Sequence, residues 1–147
     1  MLQKGERIFF CTNIDIKQSI GYNEVRFGFA DRLVESLGLS LDFYVGVGLR
    51  AIKSILNREI LDSYHQSKVL VLLIAEHQGR SIEDNWAMPR IEEAVSSGKE
   101  CLIYVTAETP QEKIQNLNLP VEFTVVNDKD HFEDSLKKDL SRLMNKS

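Results

Sequence analysis

The chain has 147 residues, 43% of them apolar, which is the size and composition of one globular domain spanning residues 1–147 with a single core. Its formal net charge is -4, and its 18 Lys and Arg residues are scattered rather than clustered, so a nucleic-acid backbone is not an expected partner. No apolar run approaches the roughly 20 residues that cross a bilayer, and the opening Met1 to Arg7 lacks the apolar stretch of an export signal. With Cys11 and Cys101 lying singly in or beside apolar runs, the pattern predicts reduced thiols, no membrane and a cytoplasmic location.

In chain order, Arg7 to Cys11 is a short continuous apolar run and reads as a strand. The flanking lead and the tail Asn145 to Ser147 read as flexible. Val25, Phe29, Leu33 and Leu37 recur at helical spacing through Tyr22 to Leu37, and Gly38 supplies the stop. Ser40 to Val45 reads as a second strand punctuated by Gly46 and Gly48. Ile52, Leu56 and Ile60 then mark a helix from Leu49 to Tyr64. Val69 to Ala75 is the most apolar strand, Trp86 to Ser97 a helix ended by Gly98, and Cys101 to Thr106 a fourth strand. A short helical turn is expected after Pro110 and a fifth strand over Val121 to Val126. A C-terminal helix follows, carrying Phe132, Leu136, Leu140 and Leu143 on one stripe.

Strand and helix alternating five times predict an α/β fold: a flavodoxin-like, doubly wound parallel sheet of five strands in the order 2-1-3-4-5, with helices on both faces. In that order the switch point falls between the first and third strands, and ligands bind outside the carboxyl ends of the strands at that point. Thr12, Asn13 and Asp15 would lie on one side of the crevice and Glu76 to Asn85 on the other, with Trp86 and its helix closing the edge.

Several chemistries of this architecture find no support. The loop after the first strand has no glycine with which to cradle a flavin phosphate, and neither GxGxxG nor GxxxxGK[ST] occurs. The paired acids of a phosphoacceptor site are missing, although Thr106 and Lys129 follow strands four and five. His65, His77 and His131 have no motif context for triad chemistry, and Glu76, His77, Glu83 and Asp84 are better read as a solvated loop than as metal ligands.

The run from Arg7 to Cys11, Ile52 to Ser63, Val69 to Ile74, the loop with Ser81, Asn85-Trp86, Ile91 to Gly98 and Cys101 to Val105 resembles a TIR (Toll/interleukin-1 receptor) domain of the small bacterial type used in antiviral signalling. The resemblance covers about 100 residues; the tryptophan after a Ser-containing loop is its distinctive part, and its strands are generic. It implies binding of NAD or a related nucleotide in a crevice lined by Phe10, Thr12, Asn13, Asp42, Tyr44 and Trp86, and a signalling or defence role exercised as a homo-oligomer or with a TIR-like partner. No tightly bound cofactor or metal is implied; NAD enters as substrate. Enzymatic members carry a glutamate four residues after that tryptophan, where this chain has Arg90. Glu92 and Glu93 are the nearest substitutes, about 200° and 300° further round the helix, and Glu93 returns closer to the face of Arg90.

A carboxylate there would stabilise the oxocarbenium charge that builds on ribose as the glycosidic bond breaks. Arg90 would oppose that charge, yet could hold a pyrophosphate bidentately. Three readings stay open at this point: a glycosidic enzyme acting through Glu93 or Glu92, a nonenzymatic interaction or nucleotide-sensing module, and a relative of the nucleoside deoxyribosyltransferases. The bland alternatives are Trp86 as a packing residue at a helix start, Glu92 and Glu93 as a solvated helix face, Asp15 and Asp42 as caps, and Tyr44 as an ordinary strand residue.

Overall fold

The computed structural model describes residues 2–12, 35–45, 62, 64–74, 91–107, 109–116 and 118–145. Among them the strands are β1 (Arg7–Thr12), β2 (Ser40–Val45), β3 (Val69–Ile74), β4 (Glu100–Thr106) and β5 (Phe123–Val126). The helices are α1 (Ile91–Ser96), α2 (Gln111–Gln115) and α3 (Lys129–Asn145). All strand pairs are parallel and the order across the sheet is β2-β1-β3-β4-β5.

The alternation of side chains along each strand divides the core in two. Ile8 and Phe10 of β1, Val69, Val71 and Leu73 of β3, and Leu102 and Tyr104 of β4 share one face with Phe132, Leu136, Leu140 and Leu143 of α3. Phe9 and Cys11, Leu70, Leu72 and Ile74, and Ile103 and Val105 share the other with Tyr64, with Ile91 and Ala94 of α1, and with Ile114 of α2. Every residue of β3 is buried, as expected of a strand covered on both faces, and this is why its sequence is uninterrupted Val, Leu and Ile.

Glycine sets two of the joints. Gly98 has φ +84°. Its N–H donates to the Val95 carbonyl, and the Lys99 N–H donates to the Ala94 carbonyl, the paired bonds that end a helix on a left-handed residue. Gly38, at φ +75°, closes a helical turn at 35–36 in the same manner, donating its N–H to the Glu35 carbonyl. The stops expected at both glycines are present. Of the helices expected over Tyr22 to Leu37 and Leu49 to Tyr64, residues 22–34, 49–61 and 63 lie outside the described residues, as do Gly46, Gly48 and the start of the Trp86 helix.

Two expectations are corrected. The lead before β1, expected to be flexible, is folded: Leu2 is buried, its N–H donates to the Leu143 carbonyl at 3.2 Å, and the Gly5 N–H donates to the Gly38 carbonyl at 2.7 Å. Leu2 docks against the last turn of α3 and brings the backbone with it. The fifth strand begins at Phe123 rather than Val121, because the residues just before it follow the bend at Pro120 and pair only from the Ile103–Phe123 register onward. Among the described residues no helix is long and apolar enough to cross a membrane.

Candidate functional site

The sequence places the site at the carboxyl rim, outside the ends of β1 and β3. Thr12 ends β1, and Asp42 and Tyr44 lie in β2 opposite Phe9 and Cys11 in the parallel register. Asn13, Asp15, Trp86 and Arg90 lie outside the described residues. Phe10 is 1% exposed, with its ring edge-on to Phe132 at 5.9 Å between centroids. That ring belongs to the core between sheet and α3, so Phe10 contributes to a crevice through its backbone position rather than an open aromatic wall.

Glu92 and Glu93 both stand exposed on the first turn of α1, whose buried positions are Ile91 and Ala94. Glu93 lines a hollow of about 370 Å³ together with Tyr64, Ser67, Lys68, Ser97 and Lys99. Lys68 immediately precedes β3 and Lys99 immediately precedes β4, so this hollow lies at the amino ends of the strands, opposite the rim where the switch-point crevice belongs. The angular reckoning from Arg90 gives the direction of Glu93 around its helix. It does not reveal that the residue borders the hollow that Lys68 and Lys99 also line.

Lys99 organises that hollow. Its ammonium donates to the carbonyls of Tyr64, at 2.9 Å, and of Ser67, reaches the Ser67 hydroxyl at 3.3 Å, and sits 4.8 Å from the centroid of the Tyr64 ring. The carbonyls terminate the helical turn at 64–66, where a cation is favoured by the unsatisfied C=O groups and the helix dipole. Burial holds the Lys99 pKa below that of an ordinary lysine; the charge of Lys68 pushes the same way, while Cys101 and Glu93 oppose it. Ser67 is buried, and its hydroxyl donates to the Tyr64 carbonyl at 2.7 Å. With its donors directed at these acceptors and its pKa lowered chiefly by burial, Lys99 is a cap that ties the chain before β3 to the chain before β4. No sequence motif announces it; the partners are 32 and 35 residues apart.

Three further groups of polar contacts were not foreseen. The Tyr104 hydroxyl, on the α3 face, donates to Asp139 Oδ2 at 2.6 Å, and Asp139 is 3.7 Å from Arg142. Burial, then the hydrogen bond to and charge of Asp139, raise the Tyr104 pKa above the ordinary phenol value. At the carboxyl end of β4, the buried hydroxyls of Thr106 and Thr109 are 2.8 Å apart. After β5, Asn127 N–H donates to His131 Nδ1 and His131 N–H to Asp128 Oδ1, fastening the start of α3.

Neither cysteine is in a disulfide: Cys11 is buried, and burial with the nearby Glu100 pushes the Cys101 thiol up to about 11, Lys99 opposing. Both therefore behave as packing residues rather than nucleophiles. Among the described residues no group of three or more His, Cys, Asp or Glu side chains is arranged to hold a metal ion. A second hollow, of about 500 Å³ and mixed polar and apolar lining, lies beside the β5 edge, between Ile114 and Phe123.

No protein-family model matches the chain, and comparison with the curated proteins returns no match.

Proposed function

We propose that the chain is a TIR-like signalling or defence domain with a flavodoxin-like sheet, one that recognises NAD or a related nucleotide at the carboxyl rim without cleaving it through Glu92 or Glu93. The observation that carries this reading is the position of Glu93. A carboxylate that stabilises a ribosyl cation must lie within a few ångströms of the sugar, and Glu93 instead shares the amino-end hollow with Lys99. Glu92 stands exposed beside it.

What supports the rim as the ligand site is the parallel sheet with β1 and β3 adjacent at its centre, since sheets of this kind take their ligands where successive connections depart in opposite directions. By the TIR resemblance, Arg90 takes the place of the usual acid. A guanidinium there suits a pyrophosphate, which it binds through paired charge-assisted hydrogen bonds, and it opposes a developing cation. Recognition is thus favoured and glycosidic cleavage disfavoured by the same residue. The deoxyribosyltransferase reading relies on an acid at that position and is weakened equally.

The test is a titration of purified protein with NAD by calorimetry, run alongside an assay of nicotinamide release at high protein concentration. Saturable binding without release, weakened about tenfold by Arg90→Ala and unchanged by Glu93→Gln, is the expected result. Absence of binding under conditions where light scattering shows the protein assembled would overturn it. Nicotinamide release abolished by Glu92→Gln or Glu93→Gln would replace it with the enzymatic reading.

A further inference from the structure

We infer that His131 is a proton-operated latch on the first turn of α3: the neutral imidazole fastens the turn between β5 and the helix, and protonation releases it. The Asn127 N–H points at His131 Nδ1 with 3.0 Å between nitrogens. An imidazole nitrogen accepts a hydrogen bond only while it carries a lone pair, so the ring must be neutral with its proton on Nε2. Once protonated, both ring nitrogens are donors. Nδ1–H then faces Asn127 N–H, donor against donor, and the bond is lost.

The histidine occupies a position of leverage. Its own N–H is held by Asp128 Oδ1 at 2.8 Å, and the next residue, Phe132, is fully buried, with its ring edge-on to both Phe10 and Tyr104. The N–H of Phe132 donates to the Asp128 carbonyl at 3.1 Å, so the bonds at residues 127, 128 and 131 together start the helix that covers one face of the sheet. Each bond engages a different N–H. Losing one loosens the turn without detaching the ring of Phe132.

Acidic residues flank the imidazole in sequence: Asp128 lies ahead of the helix, and Asp130, Glu133 and Asp134 lie on it. The neighbouring turn after β4 is joined to β5 by Ala107 N–H to the Val126 carbonyl, and its described residues Ala107, Thr109 and Pro110 carry no titratable side chain. The loss of the acceptor follows from protonation of the ring itself.

The experiment is a pH titration of the full-length 15N-labelled protein by NMR, following the His131 ring nitrogens and the Asn127 amide. The expected result is an Nε2–H tautomer at the alkaline end. The Asn127 amide shift should then move with the same midpoint as the ring, its protection against exchange falling about fivefold on the acid side. In His131→Asn, whose side-chain oxygen replaces the acceptor without titrating, the Asn127 amide should stay flat across that range. An Nδ1–H tautomer in the neutral wild-type ring, or an Asn127 amide indifferent to the ring's titration, overturns the latch, and both are read on the wild-type protein without reliance on the variant.

Discussion

β3 and β5 are both apolar strands of one parallel sheet, yet they stand in different physical states. Every residue of β3 is buried between two layers of side chains, whereas in β5 only Val126 is buried, and Phe123 and Val125 remain 37% and 41% exposed. Residue type is similar in the two; neighbours are not. β3 has β1 on one side and β4 on the other, while β5 has β4 alone. An apolar strand therefore contributes according to how many layers close over it, and stability should fall steeply from the centre of the sheet to this edge.

Substitutions along that gradient sharpen or break the comparison. Leu72→Ala at the centre, where no exposed surface exists to collapse into, should cost about 3 kcal/mol in urea denaturation, through lost burial and the cavity left behind. A loss below about 1 kcal/mol would mean that the two faces are not closed as described.

On β4, between the extremes, Tyr104→Phe removes the hydrogen bond to Asp139 and should cost about 1.5 kcal/mol at neutral pH. Its pH dependence has a definite sign. The folded-state pKa of Tyr104 lies above that of the unfolded chain, so its contribution is complete below the unfolded value and is lost as pH rises past about 10. The wild type should accordingly lose stability between about pH 9 and 11 more steeply than Tyr104→Phe. Equal slopes would show that the phenol is not withheld from ionisation.

Immediately before β4, Lys99→Met keeps the length of the side chain and discards the ammonium that meets the Tyr64 and Ser67 carbonyls; about 1 kcal/mol is expected. At the edge itself, Val125→Thr should change the urea midpoint by an amount within about 0.5 kcal/mol. An effect as large as that of Leu72→Ala would indicate that β5 is covered in solution.

The same contrast explains what could be read from the sequence. The parallel α/β layering is legible because β1, β3 and β4 are short uninterrupted apolar runs, and a strand closed on both faces has no other composition available to it. Gly38 and Gly98 are legible as stops because a left-handed residue is costly for any side chain but glycine. The α3 stripe is legible because Phe132, Leu136, Leu140 and Leu143 keep helical spacing over a long element.

The candidate site was less legible, for reasons of distance. Periodicity assigns Glu93 an angle about its helix axis. The hollow that it lines is completed by residues 64–68, a segment well before α1 in the chain. Phe10 sits in the strand that leads to the rim, but whether its ring faces crevice or core depends on Phe132, more than a hundred residues away, which takes it into the core. Leu2 lies in a short stretch without periodicity, ahead of Gln3, Lys4, Gly5 and Glu6, and nothing local distinguishes that stretch from a disordered lead.

The docking of Leu2 beside Leu143 has a practical corollary. The stretch entering β1 and the final turn of α3 meet beneath the sheet, on the side away from the loops that leave the strands. A reporter, affinity handle or neighbouring domain joined ahead of Leu2 or beyond Asn145 would hang from that underside, so a surface-tethered copy would present its opposite pole, the proposed nucleotide pole, outward to the medium.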